Sequence, residues 1–122
     1  DSDIGVIEGN RGIYDGVDVE GSCSTAELAR LLKAPIVIVV DCKKSTRTIA
    51  ALIKGVQFFE KDLNISGVIL NNLSGVRHES IVRKAIEMYT DCKVVGAIKK
   101  FKKQYMLQKH LGLIPPEQYS EV

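Results

Sequence analysis

Four short apolar runs, "IGVI" at 4–7, "IVIVV" at 36–40, "ISGVIL" at 65–70 and "KVVGAI" at 93–98, most constrain what this chain can fold into. Their continuous, β-branched character predicts strands covered on both faces, as in a parallel sheet. Segments of helical period lie between the later runs. "STAELARLL" opens with Ser24 and places Glu27 three residues on, the spacing of a capping box. Ile49, Leu52, Ile53 and Val56 mark one face of a second helix, and Ile81, Val82, Ala85, Ile86 and Tyr89 repeat that logic in a third. Strand and helix thus alternate, which predicts an α/β chain of βαβ units with right-handed crossovers and a Rossmann-like parallel sheet. Ligands of such sheets lie beyond the carboxyl ends of the strands, and here those ends fall at Glu8, Asp41, Asn71 with Asn72, and Lys99 with Lys100.

Composition narrows the partners. The 122 residues make one domain at most, and the formal charge of +2, with four Tyr, three Phe and no Trp, offers neither the charge nor the stacking surface of a nucleic-acid protein. No apolar run approaches the roughly 18–20 residues that span a bilayer, and the amino end lacks the blocks of a signal peptide, so no membrane partner and a cytoplasmic location are expected. Cys23, Cys42 and Cys92 match neither a disulfide framework nor a metal-ligand spacing and read as buried or idle thiols. The chain starts at Asp1 without methionine and its first apolar run follows almost at once, as in a piece of something longer.

The chemistry concentrates in "VIEGNRGIYDG" at 6–16, where a glutamate follows an apolar run and three glycines fall close together. A carboxylate at a strand end followed by glycine is what a magnesium site on a nucleotide-binding sheet requires: a hard oxygen, rigid placement and room for phosphate. A surface strand end with a turn would read the same locally. The longer strings decide more. "EGNRGIYDG", then "GSCSTAELARLLKAPIVIVVD", "NISGVILNNL" and "KHLGLIPPE", in that order over nearly the whole chain, resemble the cobyrinic acid a,c-diamide synthase family, with its relatives acting on hydrogenobyrinic acid or nickel sirohydrochlorin.

That resemblance implies a three-layer, dethiobiotin-synthetase-type P-loop NTPase sheet, of which residues 1–122 would be the carboxyl-terminal part. It implies an ATP- and magnesium-dependent ligase that activates carboxylates of a polycarboxylate tetrapyrrole as acyl phosphates, for amidation by ammonia from glutamine. Glu8 matches the family's magnesium ligand, and Asp15 an aspartate associated with substrate activation. Gly9 and Gly12 match loop glycines, with Gly9 on the cofactor side and Gly12 and Tyr14 on the substrate side. Asn71 matches an amide that can donate to and accept from adenine, with an Asx-turn as its plain alternative. Ser24 and Thr25 begin a helix whose amides could hold an anionic substrate or serve only its capping. His110, in "KHLGL", could close over nucleotide or substrate, or simply pack. For Asp15, binding a second metal, orienting water or ordering Tyr14 suits the chemistry better than nucleophilic attack, because a further free anion would repel the substrate.

Two departures qualify these expectations. The phosphate-cradling G-x-x-x-x-G-K-(S/T) loop occurs nowhere in the sequence, and neither does a glutaminase domain, so the chain alone is expected to be inactive. After the fourth apolar run the chain reads "KKFKKQYMLQK", and Lys99, Lys100, Lys102, Lys103 and Lys109 form either a solvated basic face or a patch that draws polycarboxylates or phosphates. A noncatalytic module of the same fold is the competing function. An exposed sheet edge could also support a homodimer.

Overall fold

A computed structural model describes residues 3–101, so His110, Lys102, Lys103, Lys109 and the prolines at 115 and 116 lie outside the described residues. The elements are α1 (Thr25–Leu32), β1 (Ile36–Asp41), α2 (Arg47–Phe59), β2 (Ile65–Leu73), α3 (Val76–Tyr89) and β3 (Lys93–Lys99). The three strands form one parallel sheet in the order β1-β2-β3. Two consecutive right-handed crossovers that step the same way across a sheet put their helices on the same face, and α2 and α3 pack on each other accordingly.

The core lies beneath those helices. Ile53, Val68, Leu70, Val82 and Ile86 are completely buried, and the same cluster takes Val40 from β1, Ile49 from α2 and Ala29 from α1. The helical period therefore read most of the inner faces, while Leu52 at 50%, Ile81 at 40% and Tyr89 at 38% exposure, assigned to the same stripes, sit at their borders. Expectation and structure part on the sheet. Ile36 and Val40 point into the core, but Val37, Val39 and Val95, on the other face, are 49%, 62% and 54% exposed among the described residues. Apolar continuity gave both faces the same appearance in sequence, yet only one is covered here.

A second correction concerns "IGVI". Residues 4–7 form no strand, and Ile4, Val6 and Ile7 are exposed. An apolar segment becomes a strand only when a neighbour satisfies its amides and carbonyls, and β1 pairs with β2 alone among the described residues. The segment instead leads as irregular backbone into the glycine loop at 9–16.

Candidate functional site

The loop at 9–16 is shaped by close approaches that only glycine permits. A Cβ on Gly9 would lie 2.5 Å from Thr25 Oγ1 and 2.9 Å from its Cγ2, and a Cβ on Gly12 would collide with the Asp15 carboxylate. The space at both glycines is thus filled by the protein's own side chains, Thr25 at one and Asp15 at the other. A turn from Asp15 N–H to the Gly12 carbonyl (3.0 Å) closes the second approach.

The loop docks on the start of α1 through Ala26 N–H, which donates to the Ile13 carbonyl at 2.9 Å. Ser24 caps that helix: it is buried, and its Oγ accepts from Glu27 N–H at 3.1 Å. The reciprocal half of the box is shifted by one residue. Glu27 Oε1 accepts from Cys23 N–H at 3.1 Å, because Ser24 N–H is already donated to the Gly21 carbonyl. Ser24→Ala is expected to lower stability by about 1 kcal/mol. A shift of the urea midpoint at unchanged slope checks it, and an unchanged midpoint would contradict the capping role.

These elements enclose a cavity of about 450 Å³ whose lining includes Glu8, Gly9, Arg11, Asp15, Ser24 and Thr25. Four sequence-derived site residues, Glu8, Gly9, Asp15 and Ser24, therefore meet on one surface. Glu27 adds a third carboxylate, against the single guanidinium of Arg11. A concavity with that imbalance repels phosphates and carboxylates unless a cation accompanies them. Magnesium, which is held by one or two carboxylates together with phosphate oxygens, fits Glu8 and Asp15 as donors. Among the described residues no group of three or more His, Cys, Asp or Glu side chains forms an all-protein metal cage.

Tyr14 is placed differently. Its hydroxyl donates to the Val56 carbonyl at 2.5 Å and its ring lies 4.7 Å from that of Phe59, so its polar end braces the loop against α2 and does not line the cavity. Partial burial raises its pKa accordingly. Asp15 is hence not paired with the Tyr14 hydroxyl. Asn71, at the carboxyl end of the sheet, accepts from the N–H of Asn72 at 3.0 Å through its Oδ1 and from Cys42 N–H at 2.9 Å through its carbonyl. Its amide oxygen is thus engaged with the next residue's N–H, which is not the two-residue reach of an Asx-turn. Asn72 adopts a left-handed conformation (φ 60°) and donates through Nδ2 to Asp41 Oδ1 at 2.9 Å. That bond first, then the Lys43 N–H, holds the Asp41 carboxyl below the usual carboxylate range.

The thiols divide. Cys42 and Cys92 are buried, and burial pushes both up, as idle thiols require, whereas Cys23 is exposed on the cavity wall with a φ of 65°. Sequence reasoning passed over a second concavity. Lys43, Lys44, Ser45, Asn72, Arg77, His78 and Lys100 come together where β1, β2 and β3 end. Only Asn72 and Lys100 had been singled out, as strand ends, because the others lie in separate loops and helix starts.

The family model described as an AAA domain matches residues 1–104. The chain belongs to this family. Among curated relatives, it is 44% identical over 93% of its length to the cobyrinate a,c-diamide synthase of Methanosarcina acetivorans, and 48% identical over 92% to that of Picrophilus torridus. The corresponding protein of Listeria monocytogenes serotype 4b is 38% identical over 99% of the chain. The chain covers 23%, 26% and 27% of these three proteins, about a quarter of their length. No solved structure matches. The relatives bear the name to which "EGNRGIYDG" and "NISGVILNNL" pointed, and the parallel α/β sheet is that of the expected fold class. Among the described residues no helix is long and apolar enough to cross a membrane.

Proposed function

We propose that this chain supplies the carboxylate-activating part of an ATP-dependent amidating ligase acting on a polycarboxylate tetrapyrrole. The observation that carries the reading is the convergence of Glu8, Gly9, Asp15 and Ser24 on one acidic cavity at the start of α1. The synthase names of the relatives support it from a separate direction.

The chemistry asked of the site is the union of two anions, a substrate carboxylate and the γ-phosphoryl group of ATP, so catalysis is positioning plus charge neutralisation. Bound magnesium supplies that neutralisation, with Glu8 and Asp15 as its holders. Arg11 offers a bidentate donor to the substrate carboxylate. Thr25, packed on Gly9, fixes the floor of the cavity, and the Ser24 cap holds the start of α1 in register with the loop. The activated acyl phosphate then meets ammonia released from glutamine by a glutaminase domain of the whole enzyme.

The test compares two polypeptides, this chain and the same chain extended at its amino end by the corresponding segment of a synthase relative. Mg-ATP and a polycarboxylate tetrapyrrole are titrated into each and ADP release is followed. Tetrapyrrole-dependent ADP release in the extended chain alone is expected. Silence of both towards nucleotide and tetrapyrrole would refute the ligase reading and leave a noncatalytic module of the same fold.

A further inference from the structure

The stripe that α2 turns away from the core is apolar as well. Ile49, Ala50 and Ile53 are buried, while Thr48, Ala51, Leu52, Gly55, Phe58 and Phe59 are exposed, and only Arg47 and Lys54 among its 13 residues carry charge. A surface helix needs one apolar stripe, and a helix apolar on both sides belongs inside an assembly. Thr48, Leu52, Gly55 and Phe59 recur at i, i+4, i+7 and i+11, the seam spacing of one helix paired with another.

The stripe is also graded in size. Its amino end is small, with Thr48 and Ala51, and opens on a hollow of about 440 Å³ that these two line with Arg47, Lys54 and Tyr89. Its carboxyl end is large, with Phe58 and Phe59 exposed by 57% and 71%. Both ends are held in place. Arg47 Nε donates to the Tyr89 hydroxyl at 3.2 Å, and its guanidinium lies 5.0 Å from the centre of that ring. Lys61 Nζ is 5.7 Å from the centre of the Phe58 ring, and the Tyr14 ring is 4.7 Å from that of Phe59. Exposed rings that are already fixed lose little freedom when a partner covers them.

A parallel copy of this helix would set Phe on Phe at one end and leave a gap at the other. A two-fold axis between Leu52 and Gly55 runs the second helix antiparallel instead. It sets Leu52 against Gly55, and Phe59 against Thr48, of the other copy, large on small at each layer. Identical flanks adjoin in such a pair, so Phe58 of each copy comes over the hollow beside Ala51 of the other, where Arg47 and Lys54 offer cations to its ring. We propose that α2 is the docking surface for a second copy of this chain, in a two-fold dimer whose seam is this stripe. The stripe exposes roughly 450 Å² per copy, taking about 200 Å² for a whole Phe side chain, or near 900 Å² for the pair. A stable complex buries about 1,200–2,000 Å², so the dimer is a weak one, with a dissociation constant on the order of 10–100 μM. The stripe and its hollow share no residue with the lining of the acidic cavity, and the inference does not rest on the reaction proposed above.

Sedimentation equilibrium of the 122-residue chain between about 5 and 500 μM tests it. The average mass is expected to rise from 13.4 kDa towards twice that value and no further, since a two-fold contact closes on itself. Gly55→Glu should leave a monomer throughout. Nothing lies within 4 Å of a Cβ added at Gly55, and Glu favours a helix over Gly, so the urea midpoint of this variant in dilute solution should not fall. Phe58→Ala should weaken association about tenfold. Val95→Thr, on the sheet face opposite to α2, should leave association unchanged. A monomer at every concentration overturns the proposal and leaves the stripe to a different protein segment. Association that survives Gly55→Glu, is lost with Val95→Thr, or climbs past the dimer overturns it equally.

Discussion

Gly16→Ala is expected to cost about 2–3 kcal/mol of stability, more than any other one-carbon change in the loop at 9–16. The reason is the nature of the obstacle. A Cβ on Gly16 would run into the Ser22 carbonyl oxygen and the Gly21 backbone, neither of which can rotate aside as a side chain can. Those atoms are held in turn. Val17 N–H donates to the Ser22 carbonyl at 2.9 Å, Gly21 N–H to the Asp18 carbonyl at 3.1 Å, and Ser22 N–H to Asp18 Oδ1 at 2.9 Å. The Ser22 hydrogen bonds also hold the Asp18 carboxyl below its ordinary range. Accommodating the methyl group means opening this small loop and displacing the Ser24 cap beyond it. Gly55→Ala provides the contrast: Gly55 lies inside α2 with nothing within 4 Å of its added Cβ, so the change should stabilise by about 0.5–1 kcal/mol. Opposite shifts of the urea midpoint check both, and equal shifts in one direction would contradict the close approach at Gly16.

The helices and the strands at 36–40, 65–70 and 93–98 were legible because their signals are local. An apolar stripe at helical spacing, a Ser with Glu three residues on, and β-branched runs between them need no knowledge of distant partners. "IGVI" carries the same local signal and is not a strand, since a ladder depends on a neighbour that the segment itself cannot specify. The site divides along the same line. Glu8 and Asp15 share one short loop and were visible together, and their cavity is closed by the capped helix that follows almost at once. Tyr14 belonged to the same string, but its fate was decided by Val56 and Phe59, some forty residues away, which no spacing rule connects to it. The cationic hollow is the extreme case. Lys43, Arg77 and Lys100 are neighbours only because parallel strands bring their carboxyl ends to one edge, and His78 looks in sequence like any helical histidine.

Glu8→Gln, in the amino-extended chain, is expected to reduce tetrapyrrole-dependent ADP release by about a hundredfold. The substitution preserves the shape and removes only the charge. Glu8 is exposed on the cavity wall and engaged in no hydrogen bond or ion pair with the described residues, so the thermal midpoint should barely move. The loss therefore reports on what the carboxylate holds. With Glu8 neutral, the cavity keeps Asp15, Glu27 and Arg11, and its attraction for a divalent cation falls while its attraction for bare phosphate rises. The variant should accordingly need more magnesium for half-maximal rate, and excess magnesium should recover part of the activity. A structural role for Glu8 predicts the reverse pattern, a lowered midpoint and a rate insensitive to magnesium. Undiminished ADP release at limiting magnesium would remove Glu8 from the metal site and shift that assignment to Asp15, whose carboxylate lies over Gly12.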